Sequence, residues 1–576
     1  MQFTLVAPRT SVKKLTQPEP HAAVRIVTSA VRGDVCRRRV LHPSRARFLM
    51  TNRLHALAAA ALVASGLSAT LTPASAEVRL PAIFSDHMVL QAEKPAAVWG
   101  WAAPGETVVV EFAGQAKQAA AAVDGRWQIV LDPLPPHERP RQLVVRGGNT
   151  LTVDDVLVGE VWLCGGQSNM AMQLKGLHGA VDDADAVIAA AEHPLIRMFV
   201  HDAPYDIYKL DAPPAEPLAD RPGKWIVCSP ATAARFTALG YFVGRDLQQA
   251  LGRPVGLVNS AVGGTPIEAW TSLAAQQADP ASKPLLDDWA KRAQGYDSSR
   301  ALAEFEVAKK AWLQARAAAQ KRKQPAPRAP AAFKNTLVSL PGGLFNGMIA
   351  PLAPYTVRGV VWYQGERNAA GPFTYEYGRQ LRLLVADWRK QWQDPELYFA
   401  WVQLPGFLGK QRLPSEPNGW GVGVRDGQRQ ALDVPHTAMA VTIDLRSEEG
   451  HPTNKLDYAR RVTPLLLHDV YGRSDVAARG PLYRTLRRNG KTLVVEFDHA
   501  DGLRAASGEL AGFAVAGDDR KFHWAAARVV DGAVVVSSDE VPKPVAVRYG
   551  WAANPLGNLV NAAGLPASPF RSDDWK

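Results

Sequence analysis

The sequence predicts an α/β fold: a mostly parallel, helix-covered sheet with β-rich regions before and after it. Three observations carry this. Short apolar runs such as Val161 to Cys164, Val255 to Asn259 and Val357 to Trp362 read as strands buried on both faces. Stretches of helical spacing alternate with them, notably Thr232 to Leu251, with Phe236, Leu239, Val243, Leu247 and Leu251 on one side. Before Val156 and after about Gly480 the chain shows only short strand-like runs between turn signals.

At 576 residues the chain is long enough for several domains and a full core. A hydrophobic content of 47% and a charged content of 21% are those of an ordinary globular protein. The net charge of +11 is unevenly placed. Residues 1–76 hold eleven Lys/Arg and two Asp/Glu, a net of +9, which leaves about +2 for the remainder. The basic balance therefore gives no reason to invoke nucleic acid or an anionic membrane.

The leader explains that imbalance. Ala56 to Ala69 is an apolar Ala/Leu-rich run preceded by Arg53, and Ala74-Ser75-Ala76 gives an A-x-A pattern before Glu77. This reads as a secretory signal peptide over 50–76, beginning at Met50. The run is too short for a comfortable membrane span, so no span is expected after cleavage. Residues 1–49 are Arg-rich and read as an extension upstream of the true start; a long basic n-region is the alternative. The expected location is periplasmic or secreted. Cys36 would leave with the leader. Cys164 and Cys228 remain and could pair after export, though two cysteines make no disulfide framework, and Cys164 inside an apolar run suits buried packing. No His/Cys cluster with metal-ligand spacing is visible, and no cofactor is implied.

In order, residues 77–155 read as an N-terminal β-sandwich, with strands near Val89 to Gln91, Ala97 to Trp101, Val108 to Phe112 and Trp127 to Leu131. An α/β domain follows over 156–283 and 336–475. Its strands are expected at Val161, Leu195 to Val200, Val255, Val357, Leu397 to Gln403 and Ala438 to Ile443, its later helices at Tyr375 to Trp392 and Lys455 to Tyr471. Residues 284–335 interrupt it as an Ala/Lys/Arg-rich helical insertion ending in a Pro-rich stretch, Gln324 to Pro330. Residues 476–576 read as a C-terminal β-domain.

Four loops stand at expected strand ends. They carry Gly165-Gly166-Gln167-Ser168-Asn169, Val262-Gly263-Gly264-Thr265, Gln364-Gly365-Glu366, and Ser447-Glu448-Glu449-Gly450-His451. In an open α/β sheet such loops gather on one edge. They supply a hydroxyl, a turn amide, a side-chain amide, and a histidine with carboxylates just before it. Serine acyl chemistry needs these groups. Ser168 after a strand and two glycines is presented as a nucleophile would be, but this is not the G-x-S-x-G elbow. A Ser/Asn turn that merely caps a helix fits the same residues.

The motifs make the reading specific. GQSNM at Gly166 to Met170, WYQGE at Trp362 to Glu366 and GHP-x-x-K at Gly450 to Lys455 resemble the sialate O-acetylesterase-like carbohydrate esterases of the SGNH hydrolase superfamily. FSDHMVLQ at Phe84 to Gln91, GGTPIEAW at Gly263 to Trp270, and VRYGWAANP and GLPASPFRSDDW near the end extend the resemblance over nearly all of Val78 to Trp575. It implies a flavodoxin-like parallel-sheet core and removal of O-acetyl groups from a glycan through an acetyl-enzyme. Ser168 would be the nucleophile and His451 the general base. The amides of Ser168 and Gly264 and the Gln364 side chain would form the oxyanion hole, with Gln167, Asn169 and Glu366 in support. The superfamily places Asp three residues before the histidine. Here Glu448 stands there; Glu449, Asp444 or a backbone carbonyl could orient His451 instead. Sialic acid and plant hemicelluloses such as xylan or xyloglucan are both open as substrates, and Arg367, Arg425 and Arg446 are candidates for a sugar carboxylate. A carbohydrate-binding protein on an inactive scaffold, or a lipase or thioesterase, are the rival readings. Intact Ser168 and His451, and the lack of a long apolar lid, speak against them.

Overall fold

A computed structural model describes residues 77–202, 212–330, 333–446 and 450–575. The expected extension and signal peptide therefore lie outside the described residues.

The N-terminal part is all strand: β1 (Val89–Gln91), β2 (Ala96–Trp101), β3 (Thr107–Phe112), β4 (Gln115–Ala120), β5 (Arg126–Leu131) and β6 (His137–Arg146). In β5 every second residue is buried, the period of a sheet with one face in a core. Next comes β7 (Thr150–Gly166), a 17-residue strand. Its first half pairs antiparallel with β6, and Leu157 to Gly159 pair with β1. Its second half enters the large sheet. The sequence boundary at 155 thus falls inside one continuous strand.

After β7 come α1 (Ser168–Ala171), the hairpin β8 (Lys175–Gly176) and β9 (Gly179–Ala180), then α2 (Ala184–Ala189). β10 (His193–His201), β11 (Gly223–Cys228), α3 (Ala238–Leu251) and β12 (Val255–Ala261) follow. The helix expected from Thr232 begins only at Ala238. The preceding residues make a 3-10 turn, and Thr237 Oγ1 donates to Met170 O, which holds the chain extended there. α4 (Leu273–Ala278) precedes the expected insertion, which holds α5 (Lys283–Ala293) and α6 (Ser298–Lys321); α6 buries no residue. The sheet resumes with β13 (Gly359–Tyr363), α7 (Tyr377–Trp392), β14 (Tyr398–Val402), α8 (Val422–Gln430), β15 (Thr437–Ala440) and α9 (Lys455–Tyr471).

The central order is β11-β10-β12-β7-β13-β14-β15, parallel except for β11 at the edge. Every residue of β13 and β14 is buried, as parallel strands covered on both faces require. Set aside the β10–β11 extension, and the remaining strands have the flavodoxin-like order 2-1-3-4-5. The connections reverse direction between β7 and β13. That switch point opens a crevice at the carboxyl ends of these two strands. Residues from Leu482 onward form two small four-stranded sheets and one two-stranded sheet with their own core, including Leu493, Phe513, Val547 and Phe570.

Candidate active site

β7 ends at Gly166, where φ is +140° and a Cβ would stand 2.1 Å from Tyr363 O. Only glycine lets β13 come this close. Gln167 N then donates to Tyr363 O at 3.0 Å, and the chain turns into α1 with Ser168 as its first residue. Gln167 Oε1 accepts from Arg367 N at 3.1 Å, which ties the turn to the loop after β13.

The loop after β12 closes the other side. Thr265 Oγ1 donates to Val262 O at 2.7 Å and accepts from Trp270 Nε1 at 3.0 Å, which locks the turn. Gly263 lies directly against the site. A Cβ there would come within 2.8 Å of His178 Nε2 and 3.4 Å of Ser168 Cβ. Any larger residue would push these groups away.

His451 stacks on His178, with ring centroids 4.9 Å apart and planes 30° apart. His178 sits in the β8–β9 hairpin with φ at 65°. A lone histidine between Leu177 and Gly179 gives no local sign of this role.

Ser168, His178, Gly263, Gly264, Glu366 and His451 line one open cavity of about 390 Å³. It lies at the carboxyl ends of β7, β12, β13, β14 and β15. Phe407 and Trp420, with rings 4.8 Å apart, form an aromatic wall. Lys334 and Arg367 are also in the lining. Burial, then the Arg367 charge, lowers the Lys334 pKa from its ordinary value. Sequence reasoning found neither Lys334 nor the aromatic wall, because the segments carrying them show only loop composition.

Behind Ser168 lies a buried polar group. Asn169 Nδ2 donates to Glu366 Oε1 and, at 3.1 Å, to Gly450 O. Asn169 Oδ1 accepts from Lys455 Nζ at 2.7 Å. Glu366 Oε2 is buried with no hydrogen-bond partner among the described residues, and burial raises the carboxyl pKa despite the Asn169 bond. Gln167, Asn169 and Glu366 thus surround the Ser168 turn.

Three expected site residues stand elsewhere. Gln364 is fully buried and outside the cavity lining. Its Nε2 donates to Asn368 Oδ1 at 2.8 Å, Thr265 O at 3.1 Å and Gln167 Oε1 at 3.2 Å, while its Oε1 accepts from Tyr377 OH. An amide has two N–H bonds, and internal acceptors take both, so its expected oxyanion role is corrected to bracing the strand ends. Arg425 is 1% exposed and donates to the carbonyls of Pro405, Ala552 and Ala553. Burial alone lowers its pKa to about 9. It is a tie inside the protein, not a sugar contact. Arg446 donates to Pro555 O at 3.1 Å and lies outside the lining. Asp444 pairs with Arg461 at 2.7 Å. Glu448 and Glu449 lie outside the described residues. Among the described residues, no group of three or more His, Cys, Asp or Glu is placed to hold a metal ion, and no helix is long and apolar enough to cross a membrane.

A parallel-sheet hydrolase with a serine and a histidine in one switch-point cavity is the class that this geometry defines. The family model described as carbohydrate esterase, sialic acid-specific acetylesterase matches residues 158–323 and 343–457. A carbohydrate acetylesterase from Xanthomonas citri is 34% identical, with a TM-score of 0.69, over 87% of this chain and 100% of that one. The sialate O-acetylesterases of Mus musculus and Rattus norvegicus are 27% and 28% identical, each over 85% of this chain and 94% of theirs. The chain belongs to this family of carbohydrate O-acetylesterases.

Proposed function

We propose that the protein removes O-acetyl groups from a sugar with Ser168 as nucleophile and His451 as general base. The observation that carries this is that both residues face one cavity at the β7–β13 switch point. His451 takes the Ser168 proton as Oγ attacks the acetyl carbonyl. The backbone amides of Ser168 and Gly264 receive the negative charge that develops on the carbonyl oxygen. The sugar oxygen leaves with the proton from His451, and the acetyl group stays on Ser168. A water then gives its proton to His451 and attacks the ester, and His451 returns that proton to Ser168 Oγ as acetate leaves. Glu448 is the carboxylate proposed to orient His451, in the place of the superfamily aspartate.

The acetylated sugar is a sialic acid or a plant hemicellulose such as xylan or xyloglucan. Lys334 and Arg367 in one wall favour the carboxylate-bearing sugar, with Arg367 as its contact. The signal-peptide pattern supports a periplasmic or secreted location.

Ser168→Ala should abolish acetate release from O-acetylated sugars and leave the circular dichroism spectrum unchanged. After an acid quench, mass spectrometry of the wild type should find the acetyl group on the peptide carrying Ser168. Labelling of a different residue by a serine-directed phosphonate would overturn the assignment.

A further inference from the structure

The GHP-x-x-K motif ends on Lys455, a residue that the reaction as written does not use. Lys455 opens α9, and its side chain is fully buried. Its ammonium donates to Asn169 Oδ1 at 2.7 Å and faces the rings of Tyr363 and Tyr458, at 5.4 and 5.2 Å. Burying an ammonium is costly unless its surroundings answer the charge. Here Asn169 Oδ1, the two tyrosine rings and the Glu366 charge do so. Asn169 passes the contact on to Glu366 Oε1 and to Gly450 O.

The position of Asn169 gives this chain its meaning. It follows Ser168 directly, and Gly450 directly precedes His451. One side-chain amide therefore joins the nucleophile helix, the loop after β13 and the loop that carries the base. An ammonium on its oxygen polarises the amide and strengthens donation from its nitrogen.

We propose that Lys455 is a positioning residue of the esterase reaction: acting through Asn169, its ammonium fixes the spacing between the Ser168 helix and the Gly450–His451 loop. The proposal rests on the Ser168–His451 reading above.

The charge on Lys455 is adjustable. Burial, partly opposed by Glu366, lowers its pKa to about 7. The groups facing it are Glu366 from the loop after β13, Tyr363 from β13 and Tyr458 from α9. Burial raises the pKa of all three. Asp444 and Asp457 act on Tyr458. Loss of the Lys455 proton leaves a weaker donor on Asn169 and a slacker loop. Activity should then fall on the alkaline side of 7. Stability should move the other way. A lysine whose folded pKa lies below its ordinary 10.5 contributes stability that is full above 10.5 and lost as pH falls towards 7.

The test uses 4-nitrophenyl acetate and an O-acetylated sialic acid, with wild type, Lys455→Met, Lys455→Arg and Ser168→Ala in parallel. Lys455→Met should lower kcat about 10- to 100-fold, the cost of a small misplacement of reacting groups, with KM within a few-fold. Its alkaline limb near 7 should vanish, together with the gain in stability between pH 7 and 10. Lys455→Arg, charged throughout, should restore part of kcat and keep it at pH 9. A wild-type kcat that stays flat from pH 7 to 9 overturns the proposal whether or not the variants fold. So does Lys455→Met with wild-type kcat, or with kcat, KM and melting temperature all impaired together at every pH. If Ser168→Ala still releases acetate, the catalytic reading itself fails. If Ser168→Ala is inert and Lys455→Met is normal, only the role of Lys455 fails.

Discussion

The two β-rich ends of the protein attach to the central sheet by different physics. The N-terminal strands share β7 with it, and their buried residues join those of the sheet in one core running from Val78 to Leu467. Phe84 and Trp99 pack with Tyr355 and Trp225 across that junction. The C-terminal strands have a separate core; Leu482 packs against the central one, and polar contacts add to it. Arg571 Nε donates to Asp426 Oδ2 at 2.9 Å, Gln403 Nε2 to Ser568 Oγ at 2.8 Å, and Phe407 N to Ala553 O at 3.1 Å. Phe407 N, Gln411 N and Glu416 N, which donate to Ala553 O, Asn554 O and Trp551 O, hold the segment 405–420, which carries the aromatic wall of the cavity. Apolar burial through a shared strand couples the unfolding of two regions. Directional polar contacts instead set the position of a loop.

The largest effects test that division. Tyr355→Ala removes a fully buried ring whose hydroxyl donates to Val89 O at 2.7 Å. It should cost about 3–5 kcal/mol and shift one calorimetric transition in which the N-terminal strands and the central sheet melt together. A separate N-terminal transition would break the comparison. Phe513→Ala, of similar cost, should move a distinct C-terminal transition and leave the central one in place.

A smaller effect should appear at the polar contact. Arg571→Met leaves Asp426, 2% exposed, with Arg429 and Gln430 as remaining partners. It should cost about 2 kcal/mol, the scale of a hydrogen bond to a charged group. KM for the acetylated sugar should rise more than kcat falls, because Asp426 lies on α8, which directly follows the wall residue Trp420, and not on the Ser168 turn. An unchanged KM would separate the C-terminal strands from the site.

The smallest expected effect is none. Cys164 in β7 and Cys228 in β11 are free and buried, and burial pushes both thiols up to about 12. A reductant should leave both calorimetric transitions where they are. A downward shift would mean that a covalent bridge, and not packing, joins these strands.

The order of strands and helices was legible because it rests on local periodicity. The expected Lys455 to Tyr471 helix and the Val89 to Gln91 strand match the observed bounds. The gathering of Ser168, Gly264 and His451 at one edge was legible as well, since the topology of a parallel sheet brings its carboxyl-end loops together. What a side chain faces was not legible, because distant residues decide it. Gln364 turns inward to acceptors such as Thr265 O, Arg425 finds carbonyls as far along the chain as Ala552, and His178 reaches His451 from a two-strand hairpin. Nor could spacing show that 17 residues of β7 belong at once to the N-terminal strands and to the central sheet, or that Lys455 points at Asn169. Backbone pattern is a property of neighbours in sequence, whereas burial and hydrogen-bond partners are properties of neighbours in space.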